Sequence, residues 1–197
     1  MLSEPVSRSH RRTSKRRPRH GRFRDSSGPV GVSVRRSASG DHWVLVHAKC
    51  ARERAEDIEA VRAIIDGDEA EIAIDELRWL LDGCNDFVEA HQLLGDLVMA
   101  TGGDVGLARG HYGCAYELGL KALRRAGVGG PLPYRQPANR PFFDAGRRLA
   151  VCLGRLGKPA MAREVIEQLL ACDPADSLGL RGQLDGIAVG GKPIVEI

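Results

Sequence analysis

The spacing of apolar residues predicts helices along most of the chain from Asp41 onward. Apolar positions recur three and four residues apart, as expected of a helix that buries one face. The first such positions are Trp43, Val46, His47 and Cys50, followed by Ile58, Val61, Ile64 and Ile65. Further helices are predicted over about residues 69–81, 87–100, 105–123, 142–156 and 159–172, with a short one near 177–184. Glycine or proline marks most of the boundaries.

The segment 127–141 is rich in glycine and proline and predicts a loop between two helices. Tyr134 and Arg135 lie at its middle. Long loops in compact domains are either functional or disordered. Two interpretations follow, a binding surface and a flexible connector, and the connector is favoured.

Small residues recur at fixed distances in consecutive helix pairs. Ala150 and Ala162 are twelve residues apart, and Pro174 follows Ala162 by twelve more. The same grid fits upstream, where Gly95 is followed by Ala108, and Val61 by Ala73. Small residues at a helix crossing let two antiparallel helices approach closely. The pattern therefore predicts repeated helical hairpins.

This grid resembles the tetratricopeptide repeat over about residues 54–174. The carrying residues in the last pair are Leu149, Ala150, Ala162, Ile166, Leu169 and Pro174. Residues 139–143 and 173–181 resemble a recurring bacterial variety of that family. The resemblance implies an all-α fold, an α-solenoid of about three helix pairs at residues 41–186, with a tail at 187–197. An irregular helical bundle is the alternative, because an insertion separates the second and third pairs.

In that family the first helix of each pair lines a concave groove that binds a partner. The resemblance places six residues there: Arg62, Gln92, Asp96, Met99, Arg147 and Arg155. We expect this mixed, rather cationic surface to bind an acidic peptide or protein, as a scaffold or adaptor does. The alternative is that these arginines are ordinary solvated helix surface.

The N-terminal segment differs from the rest in charge. Residues 1–40 contain eleven Lys and Arg against Glu4 and Asp25, whereas the remaining residues carry a net charge of −6. Such a segment predicts a disordered tail. A second function class follows, binding of nucleic acid, ribosomes or another polyanion through Arg11, Arg12, Lys15, Arg16, Arg17 and Arg19. Another interpretation is that the protein begins near Asp41.

Composition and motifs narrow the chemistry. Hydrophobic residues make up 43% of the chain and aromatic ones 5%, so the core is predicted to consist mostly of Leu, Val, Ile and Ala. Five cysteines without a CxxC pair predict free thiols in a reducing cytoplasm, and no apolar run reaches membrane-span length. We expect no enzyme activity, metal or cofactor. Zinc held by two HxxC pairs, His47 with Cys50 and His111 with Cys114, is the weaker alternative.

Overall fold

The structure is a computed structural model that describes residues 30–188, and these form one short hairpin followed by a stack of helices. The strands are β1 (Ser33–Arg36) and β2 (Trp43–Val46). The helices are α1 (Lys49–Arg52), α2 (Ala55–Asp66), α3 (Ala70–Gly83), α4 (Val88–Thr101), α5 (Val105–Arg125), α6 (Arg140–Arg155), α7 (Pro159–Cys172) and α8 (Leu180–Ala188). A single 3-10 turn, Pro137–Asn139, leads into α6.

The helices predicted from apolar spacing are confirmed from α2 to α7, with predicted ends that differ by at most two residues from the observed ones. Local chemistry explains the boundaries. Asp104 caps α5 by accepting a hydrogen bond from the Leu107 N–H at 2.9 Å. Gly127, at φ 67°, follows the end of α5 in the left-handed conformation that glycine adopts easily. Helix α8 begins later than predicted and extends to Ala188, past the predicted domain end at residue 186.

The helices pack in chain order around one core. From α2 to α8 each helix contacts the next, and α4 also contacts α6. The predicted close approach of two helices is confirmed at Gly95, where an added Cβ would lie 2.6 Å from Cε1 of Tyr112. The small residues of the grid, including Ala73, Ala108, Ala150 and Ala162, are fully buried.

The hairpin is the main departure from the predicted all-helical fold. Strands β1 and β2 pair antiparallel, with Ser33 opposite Val46 and Arg36 opposite Trp43. The helix predicted to begin at Trp43 is therefore wrong, because consecutive Val44 and Leu45 are both buried in a paired strand. Predicted disorder is also wrong for residues 33–36, and a chain that began near Asp41 would lack β1.

The loop between α5 and α6 is fastened to the hairpin, so the flexible-connector interpretation is wrong. Asn139 is fully buried; its Oδ1 accepts from the Leu45 N–H at 2.8 Å, and its Nδ2 donates to the Pro133 carbonyl at 2.9 Å. The Trp43 N–H donates to the Pro131 carbonyl at 2.8 Å. Leu132 is also fully buried, and its N–H donates to the carbonyl of Cys172, the last residue of α7, at 2.7 Å.

A disulfide joins Cys50 in α1 to Cys84 just after α3, with Cα atoms 5.7 Å apart. The prediction of free thiols is therefore wrong for these two residues, because the fold brings together cysteines that lie 34 positions apart in sequence. Cys152 and Cys172 are buried and Cys114 is exposed, and none of the three forms a disulfide in the described part of the chain. Among the described residues, none of the helices has the length and apolarity required to cross a membrane.

Candidate partner-binding surfaces

The six residues predicted to line a groove lie on α2, α4 and α6. Arg62 and Arg155 are exposed, Met99 and Arg147 are half-buried, and Gln92 is 9% exposed. Met99 packs against the core. Arg62 is paired within the protein, with Glu59 on its own helix and with Glu89 on α4. A partner at this position would compete with these two carboxylates.

Asp96 is the centre of a polar cluster between α4, α5 and α6. Its carboxylate accepts hydrogen bonds from the Tyr112 hydroxyl at 2.6 Å and from Gln92 Nε2 at 2.5 Å. Arg148 Nε lies 2.9 Å from the same carboxylate and forms an ion pair with it, but its N–H does not point at the carboxylate and makes no hydrogen bond. Burial raises the pKa of Asp96 despite these partners. Asp96 therefore joins three helices, and Gln92, one turn earlier on α4, supports its carboxylate.

A second acidic group, Asp144 on α6, lies among arginines. The Tyr134 hydroxyl, from the loop before α6, donates to Asp144 at 3.2 Å. Burial raises the pKa of Asp144, while Arg147, Arg148 and Arg140 act in the opposite direction. Arg147 Nε is buried and forms no hydrogen bond. The arginines on this part of α6 therefore surround a carboxylate that is already bonded to Tyr134.

Sequence reasoning missed a different concave surface, the α5–α7 groove, which lies between α5 and α7 over one face of α6. Its volume is about 430 Å³. The floor is apolar and consists of Tyr116, Leu120, Leu149, Leu153 and Val165. Met161 lies at the edge with 48% of its surface exposed.

The rim of the α5–α7 groove is charged. Arg109 and Arg124 lie on α5 with the half-buried Glu117 between them, and Glu164 lies on α7; the two arginines and Glu164 are exposed. One signal in the sequence could have indicated this groove: Tyr116 and Leu120 are one helical turn apart on α5, as are Leu149 and Leu153 on α6.

The four residues considered as a zinc site, His47, Cys50, His111 and Cys114, cannot bind one zinc ion together. Cys50 is bonded to Cys84, and His47 Nε2 lies 2.9 Å from the Ala138 carbonyl. Residues 30–188 contain no group of three or more His, Cys, Asp or Glu side chains placed to hold a metal ion.

Both ring nitrogens of His42 form contacts within the protein, Nδ1 with Asp41 at 2.5 Å and Nε2 with Gln136 at 2.8 Å. His42 therefore joins the hairpin to the loop.

The basic residues predicted to bind polyanions, from Arg11 to Arg19, lie outside the described residues, so that function stays a prediction. Comparison with family models finds no match for this chain. Comparison with curated proteins also finds no match.

Proposed function

We propose that this chain is a tetratricopeptide-like helical-repeat protein that binds a partner protein, with the α5–α7 groove as the binding surface. The observation that carries the proposal is an open apolar groove between two helices, bordered by charge. Amphipathic helices of partner proteins bind in grooves of this form. The repeat assignment is supported by glycines at the helix crossings, such as Gly146, where an added Cβ would lie 3.0 Å from Leu169 and Tyr116.

The groove is a better binding surface than the one predicted from the sequence, because a partner on its apolar floor would not have to replace existing ion pairs. That other surface, here called the α4–α6 face, consists of residues on α2, α4 and α6: Arg62, Gln92, Asp96, Met99, Arg147 and Arg155. On the α4–α6 face, Arg62 and Asp96 are paired with other side chains of the protein, and a partner would have to replace those contacts. In the groove, a partner would cover apolar surface such as the exposed part of Met161. Burying apolar surface contributes about 25 cal/mol per Å².

Charge on the rim indicates the chemistry of the partner. Arg109 and Arg124 are fifteen residues apart on α5, which is about 22 Å along a helix. A partner helix of about four turns would span both. Acidic residues near its two ends, on the side that faces α5, would meet these two arginines, and apolar residues would meet the floor; Glu117 lies between the arginines and disfavours acidic residues at the middle. The proposed partner segment is therefore an amphipathic helix with acidic residues near both ends of one edge.

The test is nuclease-treated affinity capture from the native host with the full chain and five single variants. Met161→Glu and Arg124→Glu change the groove without touching the buried core. Arg147→Glu and Arg155→Glu change the α4–α6 face instead. Ile72→Glu is the matched control, since Ile72 is a similarly exposed apolar residue on α3, at 50% exposure.

We expect the same captured proteins to be lost with Met161→Glu and Arg124→Glu and kept with Ile72→Glu. A photo-crosslinking amino acid at position 161 should then join the chain to one of them. Retention of all captured proteins by both groove variants refutes the proposed surface. Loss only with Arg147→Glu and Arg155→Glu would place binding on the α4–α6 face.

A further inference from the structure

Two histidines face each other between α4 and α5, away from the groove. Nδ1 of His91 and Nδ1 of His111 are 3.5 Å apart. Their rings are 5.8 Å apart between centroids and inclined by 33°. His111 is only half-buried, so the pair is accessible from solvent.

The hydrogen bonds of His91 determine which nitrogen can act as a ligand. Its Nε2 lies 3.1 Å from the Asn85 carbonyl oxygen. A carbonyl only accepts, so Nε2 carries the proton and Nδ1 presents a lone pair toward His111. Metal-binding histidines typically donate their other N–H to a carbonyl or carboxylate in this way, which fixes the ring. The His91 ring is thus oriented as a ligand before any metal arrives.

Both rings are also partly buried beside charged neighbours. Burial lowers the pKa of His91, partly opposed by Asp86. Burial also lowers the pKa of His111, and His91 and Arg78 lower it further. Protonation of both rings at 3.5 Å would place two like charges in contact.

We propose that His91 and His111 form a two-histidine site for a divalent transition-metal ion of the nickel, copper and zinc class. Imidazole suits these ions. Two nitrogens that each bind a zinc ion at about 2.0–2.1 Å with tetrahedral angles are roughly 3.3–3.4 Å apart, close to the separation seen here. His111 binds through Nδ1 after its proton moves to Nε2. Water completes the coordination, since the described chain offers no third ligand here.

The surrounding charges set the expected strength. Arg78 on α3 acts on His111 and disfavours a cation, whereas Asp86, between α3 and α4, acts on His91 and favours one. The two act in opposite directions, and water would occupy the remaining coordination positions. The ion would join α4 to α5, the two helices of one pair.

The test is calorimetric titration of the full, untagged chain with Ni²⁺ and, separately, with Zn²⁺. We expect one equivalent to bind at pH 7.5 and binding to be lost at pH 5, where protons compete. His91→Gln and His111→Ala should each weaken affinity on the order of 10- to 100-fold, at least as much as losing an outer partner of a ligand costs. His47→Gln is the matched control and should leave binding unchanged, because His47 is also a half-buried histidine bonded to a carbonyl.

Paramagnetic Ni²⁺ provides a measurement that needs no variant. In the wild-type chain it should broaden the amide resonances around His91 and His111 before all others. Absence of binding up to millimolar metal would overturn the proposal. So would binding that is unchanged in both variants, or broadening centred on any other histidine.

Discussion

Replacing Gly95 with alanine tests whether α4 and α5 pack as closely as the structure shows. A Cβ at this position would lie 2.6, 2.8 and 2.9 Å from three ring atoms of Tyr112. The ring cannot move aside easily, because it is 1% exposed and its hydroxyl donates to Asp96 at 2.6 Å. Either the helices separate or this hydrogen bond breaks.

The magnitude follows from three contributions to the free energy of unfolding. Overpacking a buried site costs about 1–3 kcal/mol. Losing a hydrogen bond to a charged group costs about 1.5–3 kcal/mol more if the ring is displaced. Alanine in a helix interior contributes up to about 1 kcal/mol relative to glycine. We therefore expect Gly95→Ala to lower stability by roughly 0–3 kcal/mol if only the helices separate, and by roughly 1.5–6 kcal/mol if the hydrogen bond is lost.

Gly110 provides the matched control for this substitution. It lies in the interior of α5, and nothing surrounds the position of an added Cβ within 4 Å. Gly110→Ala should therefore show only the helix-propensity gain. Urea unfolding followed by circular dichroism measures both variants under the same conditions. If Gly95→Ala is as stable as Gly110→Ala, the close approach of α4 and α5 is refuted.

Three further predictions concern other parts of the fold. When the chain is unfolded without reductant, a thiol assay should find three reactive cysteines, and five would contradict the disulfide. Cys50→Ala should lower the free energy of unfolding by about 3–4 kcal/mol, because the disulfide closes a loop of 34 residues. Asn139→Ala should cost about 1–3 kcal/mol, because the buried Leu45 N–H loses its acceptor, and hydrogen exchange at the Leu45 amide should accelerate; unchanged exchange would contradict the role of Asn139. Because burial raises the pKa of Asp96 in the folded state, stability should fall as pH rises above 3.8 through that pKa. This fall should be smaller in Asp96→Asn, measured by urea unfolding at pH 4 and 7, and an equal fall in both proteins would refute it.

The helices could be predicted from sequence because each buries one face at a helical period. The helix crossings could be predicted as well, because small residues recur at a fixed spacing where two helices approach closely. These residues are Gly95, Ala108, Ala150 and Ala162. Contacts between helices could also be predicted, because helices that are neighbours in space are neighbours in the sequence.

The hairpin was missed because a short strand of consecutive apolar residues resembles part of a helix. Trp43 to Val46 fits both patterns, and only the turn near Gly40 and the valines on both sides of it favoured strands. The disulfide could not be inferred from spacing, because it depends on where α1 lies against the end of α3. The pairing of Asp96 with Arg148 likewise depends on packing between α4 and α6.

The bond between Leu45 and Asn139 joins positions 94 residues apart. In an open stack of helical repeats each unit contacts only its neighbours, so the ends can unravel one unit at a time. Here the hairpin is bonded to the chain that leads into α6, which converts a linear stack of helices into a closed loop of contacts. We therefore expect the domain to unfold in one cooperative step. On the ribosome, the hairpin's partners in the loop become available only after α5 has emerged, so the hairpin is made before α2 to α5 but reaches its final contacts after them.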